Sequence, residues 1–119
     1  MIVARTMCVQ DTVNAPMSDR IEHLRRMLDA DPADPFCLYA LGMEYAAQGH
    51  PSTAIAHLEQ SLKSDEDQPY AWFHMARCHA AMGDTAKAAA AVDAGLNIAT
   101  RLDDHGAASE LAALRDEFV

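Results

Sequence analysis

The chain has 119 residues, half of them hydrophobic and only 6% aromatic, with 18 acids against 9 Lys and Arg for a net charge of −9. That hydrophobic share excludes a disordered chain, and the length suits one domain with a modest core. The acidity disfavours general binding to nucleic acid or to an anionic membrane, although Arg20, Arg25 and Arg26 form a small basic cluster.

Residues 1–16 lack helical periodicity and end at Pro16, so they read as a flexible N-terminal tail. Met17 stands directly before a helix start and is an alternative first residue. Ser18 can cap that helix, along which Ile21, Leu24, Met27 and Leu28 share one face until Asp31-Pro32. Asp34 caps the next helix, with Pro35 in the first turn, where a missing N–H costs nothing. Leu38, Leu41, Gly42 and Tyr45 form its inward stripe, and Gly49 stops it. Pro51 opens a helix with Ala54, Ile55, Leu58 and Leu62 inward, and the acidic run Asp65-Glu66-Asp67 closes the unit.

The pattern then restarts. Pro69 opens a helix whose stripe is Trp72, Met75, Ala76 and His79, Gly83 ends it, and Asp84 caps the next. Ala88, Val92 and Leu96 carry that second helix to about Leu102. A last helix runs from about Asp104, with Leu111, Leu114 and Phe118 spaced to cover the open end. Pro35 recurs as Pro69, Gly49 as Gly83, Ala54 as Ala88 and Leu62 as Leu96, a step of 34 residues. A fixed step of that size marks stacked helical pairs.

These positions resemble the tetratricopeptide repeat, whose pattern is W-x2-L-G-x2-Y, then A-x3-F, then P. The first unit reads Leu38-x2-Leu41-Gly42-x2-Tyr45 and Ala54-x3-Leu58. The second reads Trp72-x2-Met75-Ala76-x2-His79 and Ala88-x3-Val92. Pro32 matches the closing proline of a preceding half unit, and Leu111, Leu114 and Phe118 fit the first helix of a third. Small residues fall at the helix contacts: Gly42 and Ala76, Ala54 and Ala88, Ser61 and Gly95. His79 departs from the usual tyrosine, and Glu66 and Thr100 from proline.

The resemblance implies an all-α fold, a right-handed superhelical stack of antiparallel helix pairs over residues 17–119. Full repeats are expected at about 35–68 and 69–102, between half repeats, with a C-terminal capping helix at about 104–118. It also implies a non-catalytic protein–protein interaction module whose first helices line a concave groove for a peptide or protein segment. By helix face the groove residues are Phe36, Tyr39, Met43, Tyr70, Phe73, His74 and Arg77, beside Ala40, Ala47 and Ala81. Aromatic and arginine side chains suit such a surface because they bury large areas at little entropic cost. The competing account of Tyr39 and Phe73 is packing between neighbouring helices. Some family members hold acidic chaperone tails with clustered Lys, Asn and Arg; Tyr39, Met43, Tyr70 and His74 supply no such cluster.

Candidate chemistry is thin. His74 and Cys78 are one helical turn apart, but two ligands do not make a structural zinc site, and no spacing suggests a catalytic triad or a phosphate loop. No enzyme, metal or cofactor is expected. The acids at the inter-unit turns, Asp29, Asp31 and Asp34, then Asp65 to Asp67, then Asp103 and Asp104, read as caps rather than as an edge for a basic partner. Cys8, Cys37 and Cys78 are odd in number and widely spaced, which argues for a reduced compartment. No apolar run nears the roughly 20 residues of a membrane span, and the opening residues do not read as a signal peptide. The expected location is the cytoplasm. The helix near 18–31 lacks a partner in front of it, so a homodimer through a terminal helix is a further expectation. Alternative functions are a chaperone or adaptor of a secretion or assembly system, a structural subunit of a larger complex, and, least favoured, a metal-binding protein or enzyme.

Overall fold

A computed structural model describes residues 19–118. The tail reading of 1–16, the Met17 start, the Ser18 cap and Cys8 lie outside the described residues. Among the described residues six helices follow one another: α1 (residues 19–30), α2 (Pro35–Ala47), α3 (Pro51–Ser64), α4 (Pro69–Ala81), α5 (Thr85–Arg101) and α6 (His105–Asp116). No strand occurs among the described residues.

Local chemistry fixes the helix ends. The Asp34 carboxylate accepts from the backbone N–H groups of Phe36 and Cys37, Asp84 from that of Lys87, and Asp104 from that of Ala107. Each satisfies N–H groups that have no partner within the helix. α3 and α4 begin without a side-chain cap and start on proline instead. Gly49 and Gly83 take left-handed backbone, with φ of 83° and 81°, which lets the next N–H return to the helix: His50 to the Tyr45 carbonyl and Asp84 to the His79 carbonyl, both at 2.9 Å. The third such turn has no glycine. Asp103 adopts φ 56° there and Asp104 N–H donates to the Ala99 carbonyl at 2.8 Å. Aspartate tolerates this region better than most side chains.

From α2 to α6 consecutive helices pack on one another, and α2, α4 and α6 also touch in series, which makes them one wall of the stack. The main core joins α3 to α6 around Leu58, Val92 and Leu111, all nearly or fully buried. Small residues set the helix spacing. A Cβ on Gly42 would lie 2.8 Å from the Leu58 Cγ. The buried Ser61 hydroxyl donates to the Pro35 carbonyl at 2.7 Å and accepts from the Gln68 amide at 3.0 Å, tying α3 to the start of α2 and to the following turn.

Several stripe residues are less buried than their spacing suggests. Tyr45, Trp72, His79 and Leu96 are half-buried. Tyr45 stacks on His57, and the Arg25 guanidinium lies 5.9 Å from its ring centre and donates to its hydroxyl. Along α1, Ile21 is buried, Leu24 and Leu28 are half-buried, and Met27 is 39% exposed. Polar contacts add to this attachment: Arg20 pairs at 3.0 Å with Glu44, a carboxylate buried on α2.

Candidate functional site: a concave aromatic groove

The series α2–α4–α6 places the first helix of each unit on one side, so their matching faces form a continuous surface. Across it runs a chain of aromatic edges. The Tyr39 ring meets His74 at 5.9 Å, His74 meets Phe73 at 5.2 Å, and Phe73 meets Tyr70 at 6.2 Å, all edge-to-face. The Arg77 guanidinium lies 5.9 Å from the Phe73 ring centre, an attraction between cation and ring quadrupole. Tyr39 and Phe73 pack against the core yet are only half-buried, so each keeps part of its ring exposed. Packing and display are both present in these two side chains.

Two hollows flank the chain. One of about 400 Å³ lies between α2 and α4, lined by Met43, Ala47, His74, Arg77, Cys78 and Ala81. The other, about 530 Å³, lies between α4 and α6, with Phe73, Arg77, Leu114 and Phe118 on its walls and Glu110 and Glu117 beside them. Six of the seven expected groove residues therefore meet in one place. Phe36 stands apart. It is 72% exposed and belongs to an apolar hollow with Leu24, His23, Arg20 and Ala40 at the α1 end.

Sequence reading missed Glu110 and Glu117. The signal was present, because α6 repeats the face of α4 and Glu110 stands where His74 and Ala40 stand. The step from Pro69 to His105 is two residues longer than from Pro35 to Pro69, which obscures that match.

Burial and charge tune the site. His74 is held below the usual histidine value, first by desolvation and then by Arg77, with Glu110 opposing. Tyr70 donates to a Glu110 carboxylate oxygen, which pushes its hydroxyl up to about 12. Burial raises the Tyr39 hydroxyl and the Cys78 thiol, Arg77 opposing at the latter. Among the described residues no three His, Cys, Asp or Glu side chains are grouped to hold a metal ion. Many of the turn acids have local tasks: Asp34, Asp84 and Asp104 cap helices, Asp31 and Asp65 accept backbone N–H groups within their own turns, and Asp67 pairs with Arg101 at 2.5 Å.

A sequence model described as the tetratricopeptide repeat matches residues 39–107. The chain belongs to the tetratricopeptide repeat family. Solved structures agree on the fold. PcrH of Pseudomonas aeruginosa superposes with a TM-score of 0.80 at 18% identity, over 95% of this chain and 86% of that one. PcrH in complex with the chaperone binding region of PopD gives 0.82 at 17%, over 96% and 86%. The TPR2B domain of yeast Sti1, in its complex with pHsp70, gives 0.82 at 17% identity, over 97% and 92%. A Bordetella parapertussis protein, BPP2914, gives 0.74 at 26% identity, over 82% and 85%. No curated protein matches the chain. Among the described residues no helix is long and apolar enough to cross a membrane.

Proposed function

We propose that this protein is a non-catalytic interaction module that holds an extended or helical segment of a partner protein in the groove of α2, α4 and α6. The observation that carries the reading is the unbroken aromatic chain Tyr39–His74–Phe73–Tyr70 lying between two hollows, with Arg77 beside it. Aromatic patches of this kind on a soluble surface mark interaction sites. Two neighbours of the same fold are complexes with a partner, PcrH with a region of PopD and Sti1 with pHsp70, which supports the reading by analogy.

A chaperone or adaptor in a secretion or assembly system is the second reading. It is favoured by the likeness to PcrH over nearly the whole chain. We place the protein in the cytoplasm, consistent with the unpaired Cys37 and Cys78 thiols. The net charge argues against nucleic-acid and membrane partners. The exposed Phe36 at the α1 end suits a homodimer contact, which sedimentation equilibrium of wild type and Phe36→Ser would detect.

The groove is tested by paired pull-downs from a lysate of the source organism. The bait is wild type beside a Tyr39→Ala, Phe73→Ala, Arg77→Ala variant, with circular dichroism verifying the helices of the variant. A protein retained by wild type and lost by the variant supports the groove. Equal retention by both moves the site to another face.

A further inference from the structure

Resting on the groove reading, we infer that the partner segment is apolar and basic: a bulky apolar side chain enters the hollow between α4 and α6, and a neighbouring Lys or Arg pairs with Glu110 and Glu117. The hollow of about 530 Å³ offers Phe73, Leu114 and Phe118 as apolar walls, room for one large side chain. Glu110 and Glu117 are both exposed on its α6 rim. Glu110 lies on α6 and Glu117 at its C-cap, about two turns further on.

Charge decides the chemistry of the partner. The ionised groups lining the two groove hollows are Glu110, Glu117 and Arg77. His74, the remaining titratable cation candidate there, is held toward its neutral form. Arg77 already has a face-on aromatic neighbour in Phe73. The rim is therefore net negative, within a chain of net charge −9. An acidic segment would be repelled by both the local pair and the overall field. A basic one is steered in and gains charge-assisted hydrogen bonds. Glu110 retains acceptor capacity while it accepts from Tyr70, because a carboxylate has about four lone-pair sites.

The probe is two matched sets of short synthetic peptides, each carrying Leu and Phe at varied spacings, with paired Lys in one set and paired Glu in the other. Binding to wild type, to Glu110→Gln/Glu117→Gln and to Phe73→Ala is read by fluorescence polarisation. Both exposed glutamates can change without loss of packing, and glutamine keeps an acceptor for Tyr70. Binders are expected in the Lys set, weakened on the order of tenfold by the double glutamine variant and weakened by added salt. Preference for the Glu set, lost in Phe73→Ala, overturns the basic partner and leaves the groove standing. Binders indifferent to Phe73→Ala in a variant of unchanged helicity overturn the groove itself. Absence of binders in both sets counts against both. A dimer in sedimentation equilibrium that Phe73→Ala dissociates shows a second copy in the groove and overturns the inference.

Discussion

Gly95 sits against Trp72 so closely that a Cβ at residue 95 would lie 2.9 Å from the Trp72 Cβ and 3.1 Å from both Leu111 methyl carbons. Three helices, α4, α5 and α6, converge at this point. The close approach lets the capping helix seat on the second repeat.

Gly95→Ala follows directly. Alanine gains about 1 kcal/mol of helix propensity over glycine, while overpacking costs about 1–3 kcal/mol. The Trp72 Cβ is fixed to its backbone and cannot swing aside. Because that Cβ cannot yield, overpacking outweighs the propensity gain, and the expected result is a net loss of up to about 2 kcal/mol. Gly106→Ala is the control, since the nearest atom to its added Cβ is an Asp104 carboxylate oxygen at 3.7 Å; it should stay within about 0.5 kcal/mol of wild type. Urea titrations of both variants compare the two. Equal stabilities would mean that Gly95 does not set the helix spacing.

Ser61→Ala tests a joint inside the first repeat, where α3 meets the start of α2 and the turn that follows α3. The hydroxyl is buried, donates to the Pro35 carbonyl and accepts from the Gln68 amide. Alanine removes both bonds and leaves the carbonyl without that donor, at a cost of about 1–3 kcal/mol. The midpoint of urea unfolding should fall with an unchanged slope, because the surface exposed on unfolding is the same. An unshifted midpoint would show that other groups replace the hydroxyl.

Much of the fold was legible because this architecture is punctuated by residues with single physical roles. Asp34, Asp84, Gly49, Gly83 and the prolines mark helix ends through local backbone chemistry, which needs no knowledge of tertiary contacts. Burial was less legible. Tyr45 and Trp72 satisfy the helical period yet remain half-buried, because an aromatic ring at a helix contact extends past its own stripe to the rim. The groove was legible on α2 and α4, where a constant step places equivalent faces in register. It was not legible on α6. There Asp103 makes the turn that glycine makes elsewhere, and the longer step hides the match of Glu110 to His74.

The thiols of Cys37 and Cys78 should be protected in the folded state. Both are buried and both have raised pKa values, chiefly from desolvation; for Cys37 the Asp34 carboxylate, 3.4 Å from the sulfur, adds to the rise. A thiol reacts as its thiolate. In a Cys8→Ser background, Ellman's reagent should label these two slowly in buffer and rapidly in concentrated urea. Rapid labelling in buffer would mean that the helices open readily at one of these sites.

His74 should make stability depend on pH. Its pKa is depressed by desolvation and by Arg77 on its own helix, against the opposing Glu110 on α6, while Tyr39 on α2 presents an uncharged ring edge. The folded protein therefore binds this proton less readily than the unfolded chain does. The stability that neutral His74 contributes is present above its usual value of 6.5 and is lost as pH falls through the depressed folded value. His74→Gln removes that dependence. Urea unfolding at about pH 7.5 and about pH 5 should show wild type losing more stability than the variant over this interval. The other five histidines are common to both proteins, so the comparison isolates position 74. Parallel losses in the two proteins would mean that His74 accepts its proton in the folded groove without penalty, and that the site is wetter than its ring contacts imply.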